Sequence, residues 1–161
     1  MAVSLALAPS AHAAIVIQGD TKLGRFEVKR DGTLRGAIAA FGRPASLRRS
    51  GVTCYARWPS IRLRITFYNL GGRNPCQPKS GYFSRAEIVG RDWHTRSGLK
   101  IGDPLRALTV LYPRARPHPP YWWLVVRRSP FGLGGSYPGL SAKIQNGRVV
   151  AFVVRYPAGG D

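Results

Sequence analysis

Acidic side chains are scarce here: 7 Asp and Glu stand against 25 Lys and Arg in 161 residues, for a formal net charge of +18. The carboxylates Asp20, Glu27, Asp31, Glu87, Asp92, Asp103 and Asp161 are dispersed along the chain. No acidic cluster is present to hold calcium or magnesium. A glycosidase pair would require distant carboxylates to meet in the fold. The two cysteines, Cys54 and Cys76, have no nearby histidine and so no zinc spacing. Asp92, His94 and Ser97 are the residue types of a hydrolytic triad, but close sequence neighbours seldom form one. There is no Gly-x-Ser-x-Gly elbow. The glycine-rich stretch 132–135 lacks the Gly-Lys-Ser/Thr ending of a phosphate loop. No apolar run approaches the ~20 residues that cross a bilayer as a helix. The sequence therefore predicts no catalytic residues, no metal, no cofactor and no transmembrane segment.

What is abundant is apolar and basic. A hydrophobic fraction of 44% supports a sizeable core, and 19 Gly with 13 Pro indicate many turns. A charge of +18 attracts anionic partners: nucleic acid, acidic envelope polymers, anionic lipid headgroups or acidic proteins. The other source of such a charge is compositional bias. The cations are mostly arginine, scattered, and never form a run of five or six. Composition alone leaves both open.

Residues 1–13 read as a signal peptide. Val3, Leu5 and Leu7 make a short apolar stretch, Pro9 follows, and Ala11-His12-Ala13 is a small-x-small cleavage site. No Lys or Arg precedes the apolar stretch, which an upstream true start would explain; an ordinary apolar segment is the alternative. In an exported chain two cysteines read as one disulfide, Cys54 to Cys76, the alternative being two buried thiols. The expected location is secreted or extracytoplasmic, in the cell envelope.

Short alternating segments lie at 15–18 and 22–29. Thr33 is a helix cap, Leu34, Ile38 and Phe41 share one helical face, and Gly42 with Pro44 ends that helix. Strands are predicted at 53–58, at 61–68 and at 82–89. In the second of these Ile61, Leu63, Ile65 and Phe67 alternate with Arg62, Arg64, Thr66 and Tyr68. Asp103-Pro104 opens a second helix with Leu105, Leu108, Leu111 and Tyr112 on its apolar face, and Pro113 stops it. A proline-rich connector at 117–120, a strand at 121–126 and a loop at 129–139 follow. A hairpin turning at Asn146-Gly147 closes the chain. The 31–44 and 102–113 segments look alike. The expected fold is thus α+β: two helix-then-antiparallel-sheet repeats, 14–92 and 93–157, forming one layer of sheet with short helices on one face, and a tail at 158–161.

The phrase from Gly98 through Asp103-Pro104-Leu105-Arg106 to Tyr112-Pro113, followed by hydrophobic strands, resembles repeats of the SmpA/OmlA (BamE-like) and β-lactamase-inhibitor-protein-like superfamily. It also resembles uncharacterised exported actinobacterial proteins. The resemblance implies a tandem fold with secretion. It carries no acidic contact residues that can be placed on this basic chain.

Basic and aromatic residues are the remaining candidates. Arg62 and Arg64 project from one strand, Arg114 and Arg116 lie at the entry to the Tyr121-Trp122-Trp123 strand, and Arg127 with Arg128 ends it. Together they suggest a basic-aromatic groove for sugars or single-stranded nucleic acid. Adjacent tryptophans on a strand point to opposite faces, so one belongs to the core. The expected function is an exported, non-catalytic binding module for an anionic polymer or a protein. A secreted enzyme inhibitor and an unrecognised enzyme are the alternatives.

Overall fold

The structure is a computed structural model and describes residues 14–29, 32–129 and 135–156. The predicted leader at 1–13, most of the glycine-rich stretch and the tail lie outside the described residues. The chain begins with three short strands, β1 (Ile15–Gln18), β2 (Lys22–Leu23) and β3 (Phe26–Glu27), then helix α1 (Leu34–Phe41). Next come β4 (Ser46–Ser50), β5 (Thr53–Trp58), β6 (Leu63–Tyr68), β7 (Tyr82–Ile88) and β8 (Trp93–Thr95). Helix α2 (Leu105–Leu111) precedes β9 (Arg116–His118), β10 (Tyr121–Arg128), β11 (Ser136–Gln145) and β12 (Arg148–Arg155).

The expected α+β repeat layout is overturned. Among the described residues the protein is mostly β, 49% strand against 13% helix, in two sheets of four and eight strands. The small sheet has the order β3-β2-β1-β8, and β8 joins β1 in parallel from far along the chain. The large sheet has the order β4-β5-β6-β7-β12-β11-β10-β9 and is antiparallel throughout. The helices stay short for local reasons. Thr33 caps α1, its hydroxyl accepting from the Gly36 N–H at 3.2 Å, and Gly42 ends it at φ 79°. Asp103 does not cap α2; its carboxylate accepts the Lys100 N–H at 2.8 Å, and Pro104 takes the cap position.

One side of the large sheet is the core. Leu63, Ile65 and Phe67 from β6 pack with Ala86 and Ile88 of β7 and with Phe152 and Val154 of β12. Leu34 and Ala37 of α1, Leu108 of α2, and Ile17, Leu23 and Phe26 of the small sheet join the same cluster. Trp93 is fully buried on β8, and its indole N–H donates to the Ile61 carbonyl at 2.8 Å. Its ring packs near Phe41, which in turn meets Trp58 edge-on.

Two cross-links tie this assembly together. Cys54 on β5 and Cys76 in the β6–β7 loop form a disulfide across 22 residues. Removing it with the paired change Cys54→Ala, Cys76→Ala is expected to cost about 3 kcal/mol and lower Tm by roughly 10 °C. Thermal melts followed by circular dichroism check this; an unchanged Tm would mean that packing alone holds the loop. The second link is Asp20, only 2% exposed, whose two carboxylate oxygens each accept an Arg127 N–H at 2.8 Å. It joins the turn after β1 to β10. Burial alone would raise the Asp20 pKa, but the hydrogen bonds and charge of Arg127, aided by Lys29, outweigh it and hold the carboxyl below its ordinary value.

Candidate functional site

The other side of the large sheet is not covered by either helix or by the small sheet. Strand register decides what it displays, because residues paired across an antiparallel ladder share a face. One row crosses the whole sheet: Ser46, Arg57, Arg64, Glu87, Val153, Ser141, Trp123, Arg116. A second runs beside it: Arg48, Tyr55, Thr66, Arg85, Arg155. A third, on the other flank, holds Ala151, Lys143, Tyr121 and His118. Six arginines and one lysine therefore stand on this face with one carboxylate, Glu87.

Two features distinguish this face. Arg57 faces Arg64 directly, and Arg85 faces Arg155 directly. Like charges placed opposite each other oppose sheet formation, by up to ~1 kcal/mol per pair. Arg57 and Arg64 have no ion-pair partner among the described residues. Arg85 has only a loose contact with Glu87, at 3.9 Å. The second feature is shape. A cleft of about 490 Å³ is lined by Ser46, Arg48, Tyr55, Arg57, Arg64, Thr66, Arg85 and Glu87 among others. A neighbouring one of about 320 Å³ adds Arg62.

The face is divided across its width. The cations concentrate on β4 to β7, where the Arg48 guanidinium also sits over the Tyr55 ring at 4.9 Å. At the far edge Trp123 stacks on His118, with ring centroids 3.7 Å apart and planes 13° from parallel. Between them lie Ser141, Ala151 and Val153, at most 2% exposed. Neither Ala151 nor Val153 belongs to the core cluster. This middle part of the face is closed to solvent and separates the arginine lobe from the Trp123–His118 stack.

The sequence candidates sort as follows. Arg64, Arg116, Tyr121 and Trp123 share the open face. Arg62 does not project from a strand: it sits in the turn before β6 with φ 51°, at the rim of the smaller cleft. Trp122 packs against the core, one position out of phase with Trp123. Arg127 is committed to Asp20, while Arg114 and Arg128 are exposed outside these rows. Arg48, Arg57, Arg85, Arg155 and Lys143 were not singled out in the sequence; only the register brings them together. Among the described residues no three His, Cys, Asp or Glu side chains come together to hold a metal. Among them, too, no helix is long and apolar enough to cross a membrane.

No protein-family model matches the chain, and no curated protein matches it. Two solved structures are similar at low level. One is an extracellular protein containing a SCP domain from Bacillus anthracis, at 9% identity and a TM-score of 0.46, with 78% of this chain and 43% of that one covered. The other is the uncharacterized protein yfeY from Escherichia coli, at 12% identity and a TM-score of 0.43, with 89% of this chain and 100% of that one covered. The chain thus spans less than half the length of the first, and at these values neither likeness assigns it a family or a function.

Proposed function

We propose that this protein is a non-catalytic binding module that takes an anionic partner on the open face of its eight-stranded sheet, in an extracytoplasmic compartment. The observation that carries it is the pair of direct Arg–Arg juxtapositions, Arg57 with Arg64 and Arg85 with Arg155, on a face with one carboxylate. Such a pattern works against the sheet's own stability and gains its compensation from an anion that bridges the guanidiniums. Arginine suits this task because its planar fork grips carboxylate, sulfate or phosphate through two parallel hydrogen bonds. The disulfide supports an oxidising compartment.

Charge-driven recognition has a measurable signature. Binding to labelled dextran sulfate, engaging about four cations, is expected to weaken roughly 100-fold between 50 and 200 mM salt. A change within twofold would contradict it.

A further inference from the structure

We infer that one end of the large sheet, carrying Val52, Leu70 and Tyr82, docks on an anionic lipid bilayer. The apolar tips enter the headgroup layer, and Arg49, Arg73 and Lys79 rest on its phosphates. This goes beyond the arginine face and uses other residues.

Strand register gathers the tips. Ser50, Thr53, Tyr68 and Tyr82 pair in one row that ends the sheet on this side. Two connections close that end, the β4–β5 turn and the β6–β7 loop, and they meet: the Asn69 N–H donates to the Val52 carbonyl at 2.8 Å. Val52 is 48% exposed, Leu70 64% and Tyr82 51%. A cleft joins Leu70 and Tyr82 with Tyr68, Arg73 and Lys79. Exposed apolar side chains are ordinary when they occur singly; grouped on adjoining connections they mark a contact surface.

The exposure is built in. Asn69 is 5% exposed; its amide donates to the Ser80 carbonyl and accepts the Gly71 N–H at 2.9 Å. Both neighbours of Leu70 are thereby anchored. The disulfide fastens a later part of the same loop to β5. A tip held in place from below needs little ordering when it makes contact.

Charge names the partner. The sequence has no Asp or Glu from 32 to 86. The Arg49 Nε–H donates to the Gly51 carbonyl at 3.1 Å, which keeps that guanidinium beside the Val52 turn. Arg73 and Lys79 line the cleft with Leu70. Apolar tips among cations match a surface that is anionic at its phosphates and apolar beneath them. Tyrosine suits that boundary, with an apolar ring and a polar hydroxyl. A protein partner would need pockets shaped for Val52 and Leu70, whereas a bilayer accepts them without shape matching.

Cosedimentation with vesicles of phosphatidylcholine containing about a third phosphatidylglycerol reads the binding. The protein should bind these at least about tenfold more tightly than pure phosphatidylcholine. Val52→Ser with Leu70→Ser should weaken vesicle binding about tenfold and leave dextran sulfate within twofold. Arg73→Gln with Lys79→Gln should weaken it by about as much. Val110→Ser removes an equally exposed side chain from α2, and should change nothing. In Leu70→Trp, lipids brominated on their acyl chains should quench emission that the parent lacks, a readout independent of any loss of affinity. An unquenched Leu70→Trp, or serine variants that bind vesicles like the parent, would overturn the docking. If Arg57→Gln with Arg64→Gln abolishes vesicle binding while the tip changes do not, the bilayer belongs to the arginine face and only this inference fails. Polyglutamate binding that needs Leu70, with no vesicle binding, would replace the lipid with an acidic protein.

Discussion

Substituting methionine for Arg127 is expected to destabilise the fold by about 3 kcal/mol at pH 7. The change keeps most of the aliphatic stem and strands the Asp20 carboxylate, which is only 2% exposed, without its partner. Arg127 is itself 48% exposed, so water screens part of the pair and the cost falls near the lower end of values for broken buried ion pairs. The reverse change, Asp20→Ala, leaves a guanidinium that solvent can reach and should cost less, about 1–2 kcal/mol. Acid distinguishes the two proteins further. In the parent, the folded-state pKa of Asp20 is depressed, so its contribution is present above the unfolded carboxyl value, ~3.9, and is lost as pH falls through the folded one. In Arg127→Met, burial acts without a counter-charge and raises the Asp20 pKa, so acid relieves that variant. The stability gap should narrow below about pH 4. Urea denaturation at pH 7 and pH 4 measures both; a gap that widens in acid would contradict this role for the pair.

The second large effect separates binding from stability by sign. Arg57→Glu together with Arg155→Glu turns both like-charge juxtapositions into opposite-charge ones, with Arg64 and Arg85 as the retained partners. The fold should gain about 0.5–2 kcal/mol. Binding to dextran sulfate should fall about 1000-fold at low salt, since repulsive juxtaposition at an interface costs several kcal/mol. Residues kept for stability would not behave in this way. A variant that is both less stable and equally tight in binding would refute the reading of the face.

These residues also show where the sequence was legible. The alternation at 61–68 identified Arg64 and the apolar side of β6 correctly, because a period of two is a local property. The opposite orientations of Trp122 and Trp123 followed from the same period. The partners of Arg64 did not, since Arg57, Arg85 and Arg155 meet it only through register between strands distant in sequence. Three-residue strands carry no periodicity, so the sequence offers no strand at β8, although it holds the buried Trp93. The strand β9 was hidden by Pro117, which an edge position tolerates. The first half of β11 was read as loop because of Pro138 and Gly139. The structure gives Gly139 a reason: a Cβ there would lie 2.6 Å from the Asp20 carboxylate, so this strand has a glycine to admit the buried ion pair. Recurrence of two helix-like segments suggested a repeat layout, while the pairing of β1 with β8 depends on contacts no local pattern encodes.

The most direct measurement is amide chemical-shift mapping with an added anionic oligosaccharide. Perturbations should cluster on β4 to β7 and at Arg155, centred on Arg57, Arg64 and Arg85, and spare α1, α2 and the Asp20 turn. Shifts confined to the helical side of the protein, with the arginine rows silent, would contradict the account.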